Sequence, residues 1–217
     1  MSIRILLADD HRIMREGLRS VLEKELDMEV IAEAKDGRMT VKLAEKLSPD
    51  VIVMDITMPG LNGMDATREI LSMVSDVKVV ALSMHSDEQF VAGMLNAGAS
   101  GYLLKDCAFE ELCRAIRAVV ANETYLSPGI AGIVVKEYRR GLSRTEFSLS
   151  PGLTAREREV VQLVTEGKSS KEIASLLHVS VRTVESHRHQ IMDKLDIHTI
   201  AELTKYAIRK GITSLET

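Results

Sequence analysis

Short apolar runs alternate with amphipathic stretches along the first 122 residues. Ile3–Ala8, Val30–Ala32, Val51–Met54, Val79–Leu82 and Tyr102–Leu104 are rich in Val, Ile and Leu. Such brief runs predict strands covered on both faces, as in a parallel sheet. Between them, apolar positions recur at helical spacing near 12–25, 37–47, 63–73, 87–97 and 108–121. Five β-α units in series predict a doubly wound α/β domain, with a five-stranded parallel sheet and helices on both faces. Ser86 with Gln89 fits a capping box opening the fourth helix, Asp106 fits a cap for the fifth, and Asn122 fits its stop.

Residues 123–152 break this rhythm with Pro128, Gly129, Gly132, Gly141, Pro151 and Gly152. That composition predicts a linker helix near 129–139 and then a flexible segment near 140–152. From 153 to 217 the pattern is helical throughout. Thr154–Glu157, Ser169–Glu172 and Thr199–Glu202 each fit S/T-x-x-E ahead of a helical apolar pattern, Ser180 fits a fourth N-cap, and Gly167 fits a helix stop. The expected organisation is one α/β domain at 1–122, a linker at 123–152 and a small all-α domain of four helices at 153–217.

Composition narrows the classes. Aromatic residues are only 3% and Trp is absent, so the cores must be aliphatic. No stretch approaches the roughly 20 apolar residues of a membrane span, and the start MSIRILLADD lacks the apolar region of a signal peptide. Cys107 and Cys113 are the two cysteines, six positions apart. That spacing fits neither zinc nor a disulfide framework and leaves free thiols in a reducing cytoplasm as the expectation. Charge is uneven. Residues 1–122 carry 14 Lys and Arg against 20 Asp and Glu, whereas residues 153–217 carry 10 against 9. The acidic first domain suits a divalent cation, while the nearly neutral last domain gives nucleic acid little support from charge alone.

Polar residues fall where chemistry is expected. In an open parallel sheet, ligands sit beyond the carboxyl ends of the strands. Asp9 and Asp10 follow the first strand, Asp55 the third, Ser83 the fourth and Lys105 the fifth. A single Asp after a strand is ordinarily a helix cap, and a lone Lys is ordinarily solvated. Five such residues at strand ends share no bland explanation of that kind. Two carboxylates about 4 Å apart repel by about 4 kcal/mol at an effective dielectric near 20. A cluster of three therefore calls for a cation, and hard oxygen ligands favour Mg²⁺. A carboxylate held this way can attack phosphorus, with Ser83 and Lys105 binding the phosphoryl oxygens. Met58-Pro59-Gly60 can turn sharply beside it.

In the last domain, about Lys171–Leu177 and about Val181–Leu195 read as two helices joined by His178-Val179-Ser180. Val181, Val184, Ile191 and Leu195 form one inward stripe. Arg182, Glu185, Ser186, His189 and Asp193 lie on the other face, which in a helix-turn-helix enters the major groove. Arg can read guanine and Glu can accept from cytosine, while Thr183, Arg188 and Lys194 are placed to contact phosphates. By charge and pattern alone, a helical interaction module remains open.

The motifs carry a resemblance. Through LLADDH, VIVMDITMPGLNG, ALSMH and GASGYLLKD, residues 1–122 resemble the receiver domain of two-component response regulators. The resemblance implies Asp55 as phosphoacceptor, and Asp10 and Asp55 as direct Mg²⁺ ligands with the Thr57 carbonyl. It implies that Asp9 acts largely through water, Ser83 as the hydroxyl switch, Lys105 as the family's lysine and Tyr102 as its switch aromatic. An edge-strand aromatic is the other reading of Tyr102. Thr57 and His85 occupy positions that tune dephosphorylation in this family. LTAREREVVQLVTEG and SSKEIASLLHVSVRTVESHRHQIMDKL resemble the LuxR-type DNA-binding domain. Glu157, Gly167, Ile173, Ala174, Val184, His187, Lys194 and Leu195 match its pattern, whereas Glu185 stands where relatives often carry Lys. Together the two parts resemble NarL/FixJ-type regulators. That implies a transcription regulator rather than an enzyme, phosphorylated by a sensor histidine kinase and binding double-stranded DNA as a homodimer.

Three other readings stay open. A receiver used only as an unphosphorylated platform is disfavoured by the complete acceptor set. A Mg²⁺-dependent phosphatase would need an Asp two residues after the nucleophile, where Thr57 stands. A purely structural adaptor with no DNA role would be excluded by operator binding of the isolated 150–217 fragment.

Overall fold

The computed structural model describes residues 2–84, 86–107, 109–143 and 153–214. The chain forms two compact units, residues 1–143 and residues 144–217. The first unit contains β1 (Ile3–Ala8), α1 (Arg12–Leu22), β2 (Met28–Ala34), α2 (Gly37–Leu47), β3 (Val51–Met54) and α3 (Gly63–Met73). It continues with β4 (Lys78–Ser83), α4 (Glu88–Asn96), β5 (Gly101–Leu104), α5 (Phe109–Val120), β6 (Tyr125–Leu126) and α6 (Pro128–Ser143). The strands pair in parallel in the order β2-β1-β3-β4-β5-β6. This is the expected doubly wound sheet with a short sixth strand added. Alternation along each strand divides the core. Leu6, Ala8, Ile52 and Met54 join one cluster with Met64, Ile70, Phe90 and Met94 of α3 and α4. Ile5, Leu7, Val51 and Val53 join the other, with Leu22 of α1 and Leu112, Ile116 and Val119 of α5.

The helix ends show which local signals operate. Asp36 and Asn62 cap α2 and α3 through their side chains. The box expected from Ser86 and Gln89 does not form. Asp87 is the N-cap of α4, without a side-chain bond, and the residue three positions on is Phe90, which has no acceptor. Asn122 adopts the left-handed conformation after α5, as its stop role requires. The Asp106 cap cannot be followed to the helix, because Ala108 lies outside the described residues.

Residues 123–143, which composition suggests as linker, contribute β6 and α6 to the first unit. Pro128 and Gly129 occupy the first turn of α6, where Pro is favoured rather than disruptive. Ile130 is fully buried in the cluster with Phe90 and Met94, and Ile133 and Val134 pack against it. Lys136 Nζ pairs with Glu88 Oε1 of α4 at 2.5 Å. The flexible segment expected near 140–152 lies outside the described residues beyond Ser143.

The second unit is helical: α7 (Ala155–Thr165), α8 (Ser170–Leu177), α9 (Val181–Leu195) and α10 (Ile200–Arg209). All three capping boxes form, at Thr154–Glu157, Ser169–Glu172 and Thr199–Glu202. Gly167 closes α7 in the left-handed conformation. Val160, Leu163, Ile173, Leu177, Val184, Ile191 and Leu203 form the core. Val181 departs from the expected stripe: as the first residue of α9 it is 37% exposed. No described helix is long and apolar enough to cross a membrane.

Two outcomes follow from this packing. Ile130→Ala is expected to destabilise the first unit by about 2–5 kcal/mol in denaturant titrations, the range for a buried aliphatic truncation. A surface linker helix would show almost no change. The capping-box glutamates generate a pH dependence. Burial raises the Glu157 pKa, but bonds from Lys194 and Thr154 outweigh it and hold the group below its ordinary 4.5. Ser169 lowers Glu172, and the His198 amide and Thr199 lower Glu202. Carboxyls depressed in the folded state contribute stability above the unfolded value and lose it as pH falls through the folded value. The helical unit should therefore melt at lower temperature below about pH 4.5, and Glu157→Gln should blunt that drop in parallel thermal melts.

Candidate functional site

The sheet order reverses between β1 and β3, so a crevice opens at their carboxyl ends. Asp9 follows β1 and Asp55 follows β3, each 3% exposed. The Asp55 amide donates to the Ala8 carbonyl at 2.7 Å, which ties the two strand ends together. Gly63 lets the chain return beneath them: a Cβ there would lie 2.1 Å from the Asp55 carbonyl oxygen. Gly60 turns with φ +78°, as the Met58-Pro59-Gly60 turn requires.

Lys105 reaches both carboxylates. Its Nζ lies 2.7 Å from Asp9 Oδ2 and 2.8 Å from Asp55 Oδ2, with the side chain 5% exposed. Burial pushes the Asp55 pKa up to about 6; Lys105 opposes this and Asp9 adds to it. Burial works against the Lys105 charge, but Asp55 and Asp9 outweigh it and raise its pKa. The Thr57 amide donates to Asp55 Oδ1 at 3.3 Å. Ser83 is fully buried at the end of β4, and its carbonyl accepts from the Lys105 amide at 2.8 Å.

Asp10 is half-buried beside Asp9. Its Oδ1 is buried without a hydrogen bond; His11 Nδ1 lies 2.9 Å away but outside hydrogen-bond geometry. Ligand atoms of Asp9, Asp10, His11 and Asp55 all fall within 4.8 Å of one another. One ammonium cannot balance three carboxylates, and the buried Asp10 Oδ1 has no hydrogen bond. Three of the four donors are hard carboxylate oxygens, so these residues fit a small divalent cation. Sequence reasoning passed over His11, although it stands directly after the Asp9-Asp10 pair. It takes the N-cap position of α1, and its amide donates to Asp9 Oδ1 at 2.8 Å.

Tyr102 is fully buried on β5, which is not an edge, because β6 pairs Leu126 opposite Tyr102. Burial raises the phenol pKa, and a hydrogen bond with the Ser83 side chain moderates the rise. Tyr102 is therefore packed inward in this structure. His85 lies outside the described residues.

In the second unit, His178 makes the left-handed turn between α8 and α9. Arg182, Glu185, Ser186, His189 and Asp193 are all exposed on one side of α9, as the pattern predicts. Three residues suggested as phosphate contacts are engaged within the unit. Thr183 Oγ1 lies 2.8 Å from Ser180 Oγ, and Arg188 Nη1 donates to Ser170 Oγ at 3.2 Å. Lys194 Nζ pairs with Glu157 Oε2 at 2.8 Å and is 25% exposed, so it clamps α9 to α7. His187, one of the residues that match the family pattern, is half-buried.

Known proteins share both parts. Residues 5–117 match the response regulator receiver domain, and residues 151–207 match the bacterial regulatory proteins of the luxR family. The transcriptional regulatory protein LiaR of Bacillus subtilis is 40% identical over 98% of this chain and 100% of its own. The transcriptional regulatory protein DegU of Brevibacillus brevis is 38% identical over 96% of this chain and 94% of its own. A crystal structure of a LuxR-family two-component response regulator from Aurantimonas is 37% identical, with a TM-score of 0.61 over 64% of this chain and 99% of that one. The chain therefore belongs to the two-component response regulators that join a receiver domain to a LuxR-type helix-turn-helix domain.

Proposed function

We infer that this transcriptional response regulator is switched by phosphorylation of Asp55, with Mg²⁺ held by Asp10, Asp55 and the Thr57 carbonyl and by Asp9 through water. One observation carries the reading: a single buried ammonium bridges Asp9 and Asp55, while the buried Oδ1 of Asp10 has no hydrogen bond and only the exposed His11 imidazole beside it. The chain accepts a group on its own side chain and is not a catalytic enzyme. Bound Mg²⁺ would neutralise charge on the carboxylates and the incoming phosphoryl group. An Asp55 oxygen bonds to phosphorus as the P–N bond of a kinase phosphohistidine breaks and the imidazole leaves. Lys105 already touches Asp55, so its ammonium can turn to a phosphoryl oxygen. The Ser83 hydroxyl binds a second oxygen, which costs its bond to Tyr102 and so disturbs β5.

The exposed face of α9 is the proposed major-groove reader, with Arg182 and Glu185 as base contacts and Ser186 and His189 beside them. Thr183 and Arg188 lie next to the phosphates. Lys194 can contribute charge there only in competition with Glu157. Phosphorylation favours a homodimer on two half-sites about one helical turn apart, with α10 the candidate for pairing on DNA. A sensor histidine kinase is the donor, and the cytoplasm is the compartment.

Intact mass after incubation with acetyl phosphate and Mg²⁺ tests the acceptor. A gain of about 80 Da in wild type, absent in Asp55→Ala, is the expected result. No gain with either acetyl phosphate or a cognate kinase defeats the reading, and a gain in both proteins moves the acceptor elsewhere. Binding to duplexes selected from a random library tests the reader. Arg182→Ala should weaken binding by about ten- to a hundredfold and relax one base position, since a bidentate pair discriminates by about 1–3 kcal/mol. Uniform weakening across all sequences would make Arg182 a phosphate contact.

A further inference from the structure

The backbone carbonyl of Asp9 is satisfied from outside the sheet. β1 ends at Ala8, whose carbonyl is taken by the Asp55 amide, and the Asp9 amide donates to Ala34 at 3.1 Å. The chain then turns, with the His11 amide on the Asp9 carboxylate, and α1 begins at Arg12. The Asp9 carbonyl instead accepts from Arg15 Nη1 on α1, at 2.6 Å.

Arg15 is not a solvated surface cation. Its side chain is 13% exposed, and its Nε lies 3.3 Å from Glu33 Oε2 on β2. Glu33 also pairs with Arg19 at 2.7 Å, and Arg19 donates to the Val30 carbonyl at 3.2 Å. One guanidinium thus joins the turn after β1 to a charged pair anchored on β2. The planar fork can hold the carbonyl and the carboxylate together, which a single ammonium cannot do in the same way.

We propose that Arg15 is a positioning residue for the acidic pocket: by holding the Asp9 carbonyl it fixes the peptide that carries Asp10, and so aims the Asp10 carboxylate at a divalent cation. The peptide unit is planar, so anchoring the Asp9 oxygen anchors the nitrogen and Cα of Asp10 as well. The side chain of Asp10 gets little help of its own: its buried Oδ1 has no hydrogen bond, and the His11 imidazole 2.9 Å away is itself 71% exposed. Orientation of that oxygen therefore leans on the backbone. Outer partners of this kind commonly set metal affinity by about ten- to a hundredfold. The inference rests on the cation reading of the pocket given above.

Charge and positioning make opposite forecasts. Arg15 is a cation near a cation site, so removing its charge alone would tighten Mg²⁺ binding. Losing the anchor would weaken it. Arg19 supplies the control, since it shares Glu33 with Arg15 and donates to Val30 rather than to Asp9.

The experiment is calorimetric titration of the full chain with Mg²⁺ alone, together with amide exchange of His11 in metal-free protein. Arg15→Met should bind Mg²⁺ about tenfold more weakly than wild type, and its His11 amide should exchange faster. Arg15→Lys should fall between the two, and it serves in place of Arg15→Met if that variant does not fold. Arg19→Met should leave Mg²⁺ affinity within about twofold even where its melting temperature drops. Unchanged or tighter Mg²⁺ binding in both Arg15 variants overturns the proposal. Equal weakening in Arg19→Met also overturns it, because the effect would then be general loosening. If wild type does not bind Mg²⁺, the cation reading fails, and unchanged His11 exchange in the Arg15 variants would separately overturn the anchoring role.

Discussion

A buried ammonium between two buried carboxylates closes the carboxyl edge of the sheet. Lys105 comes from beyond β5, Asp9 from β1 and Asp55 from β3, so one side chain spans the ends of separate strands. Each of these groups would be costly to bury alone, and the three are tolerable only together. The balance is incomplete, because Asp10 adds charge that Lys105 does not touch. That surplus leaves an acidic cluster rather than a closed structural ion pair. The glycine at 63 serves the same constraint, since the returning loop must pass within van der Waals reach of the Asp55 backbone.

The same edge leads into α6. Tyr102 meets Ser83 through its hydroxyl, and its carbonyl accepts from the Ser127 amide at 3.1 Å. Ser127 in turn opens α6, its carbonyl accepting from Ile130 and Ala131. One residue of β5 therefore contacts the pocket with its side chain and the first turn of α6 with its backbone. Ser83 thus lies two hydrogen bonds from the first turn of α6. The buried Ile130 makes that coupling stiff, because α6 cannot slide without opening the core it shares with Phe90 and Met94.

What could be read from the chain depended on how local each cause is. The strands were legible because burial on both faces demands uninterrupted Val, Ile and Leu, and β1 and β3 coincide with their runs at both ends. Asp9, Asp10, Asp55, Ser83 and Lys105 were legible because strand ends carry them in series. β6 was not, since two residues with no alternation give no period to detect. α6 was foreseen as a helix, but its docking depends on Ile130 meeting α4, a contact no local pattern encodes. Arg15 was missed for a similar reason. On a helical wheel it is one more polar residue of α1, and only the turn at Asp9 turns it inward.

The helical unit reverses that proportion. Three of its four helices begin where a hydroxyl and a glutamate three residues later satisfy each other, so those starts are written in four residues. Nevertheless, one of those glutamates serves twice. Glu157 closes the box on Thr154 and also receives Lys194 from α9. The lysine looked like a phosphate contact because its place on α9 fits one, and place along a helix says nothing about a partner on another helix. The pairing fixes α9 against α7 at the helix's last turn and leaves its first turns to Arg182, Glu185 and Ser186. Rigid support behind and open side chains in front are what a reading helix requires, since contact geometry at base edges tolerates little slack.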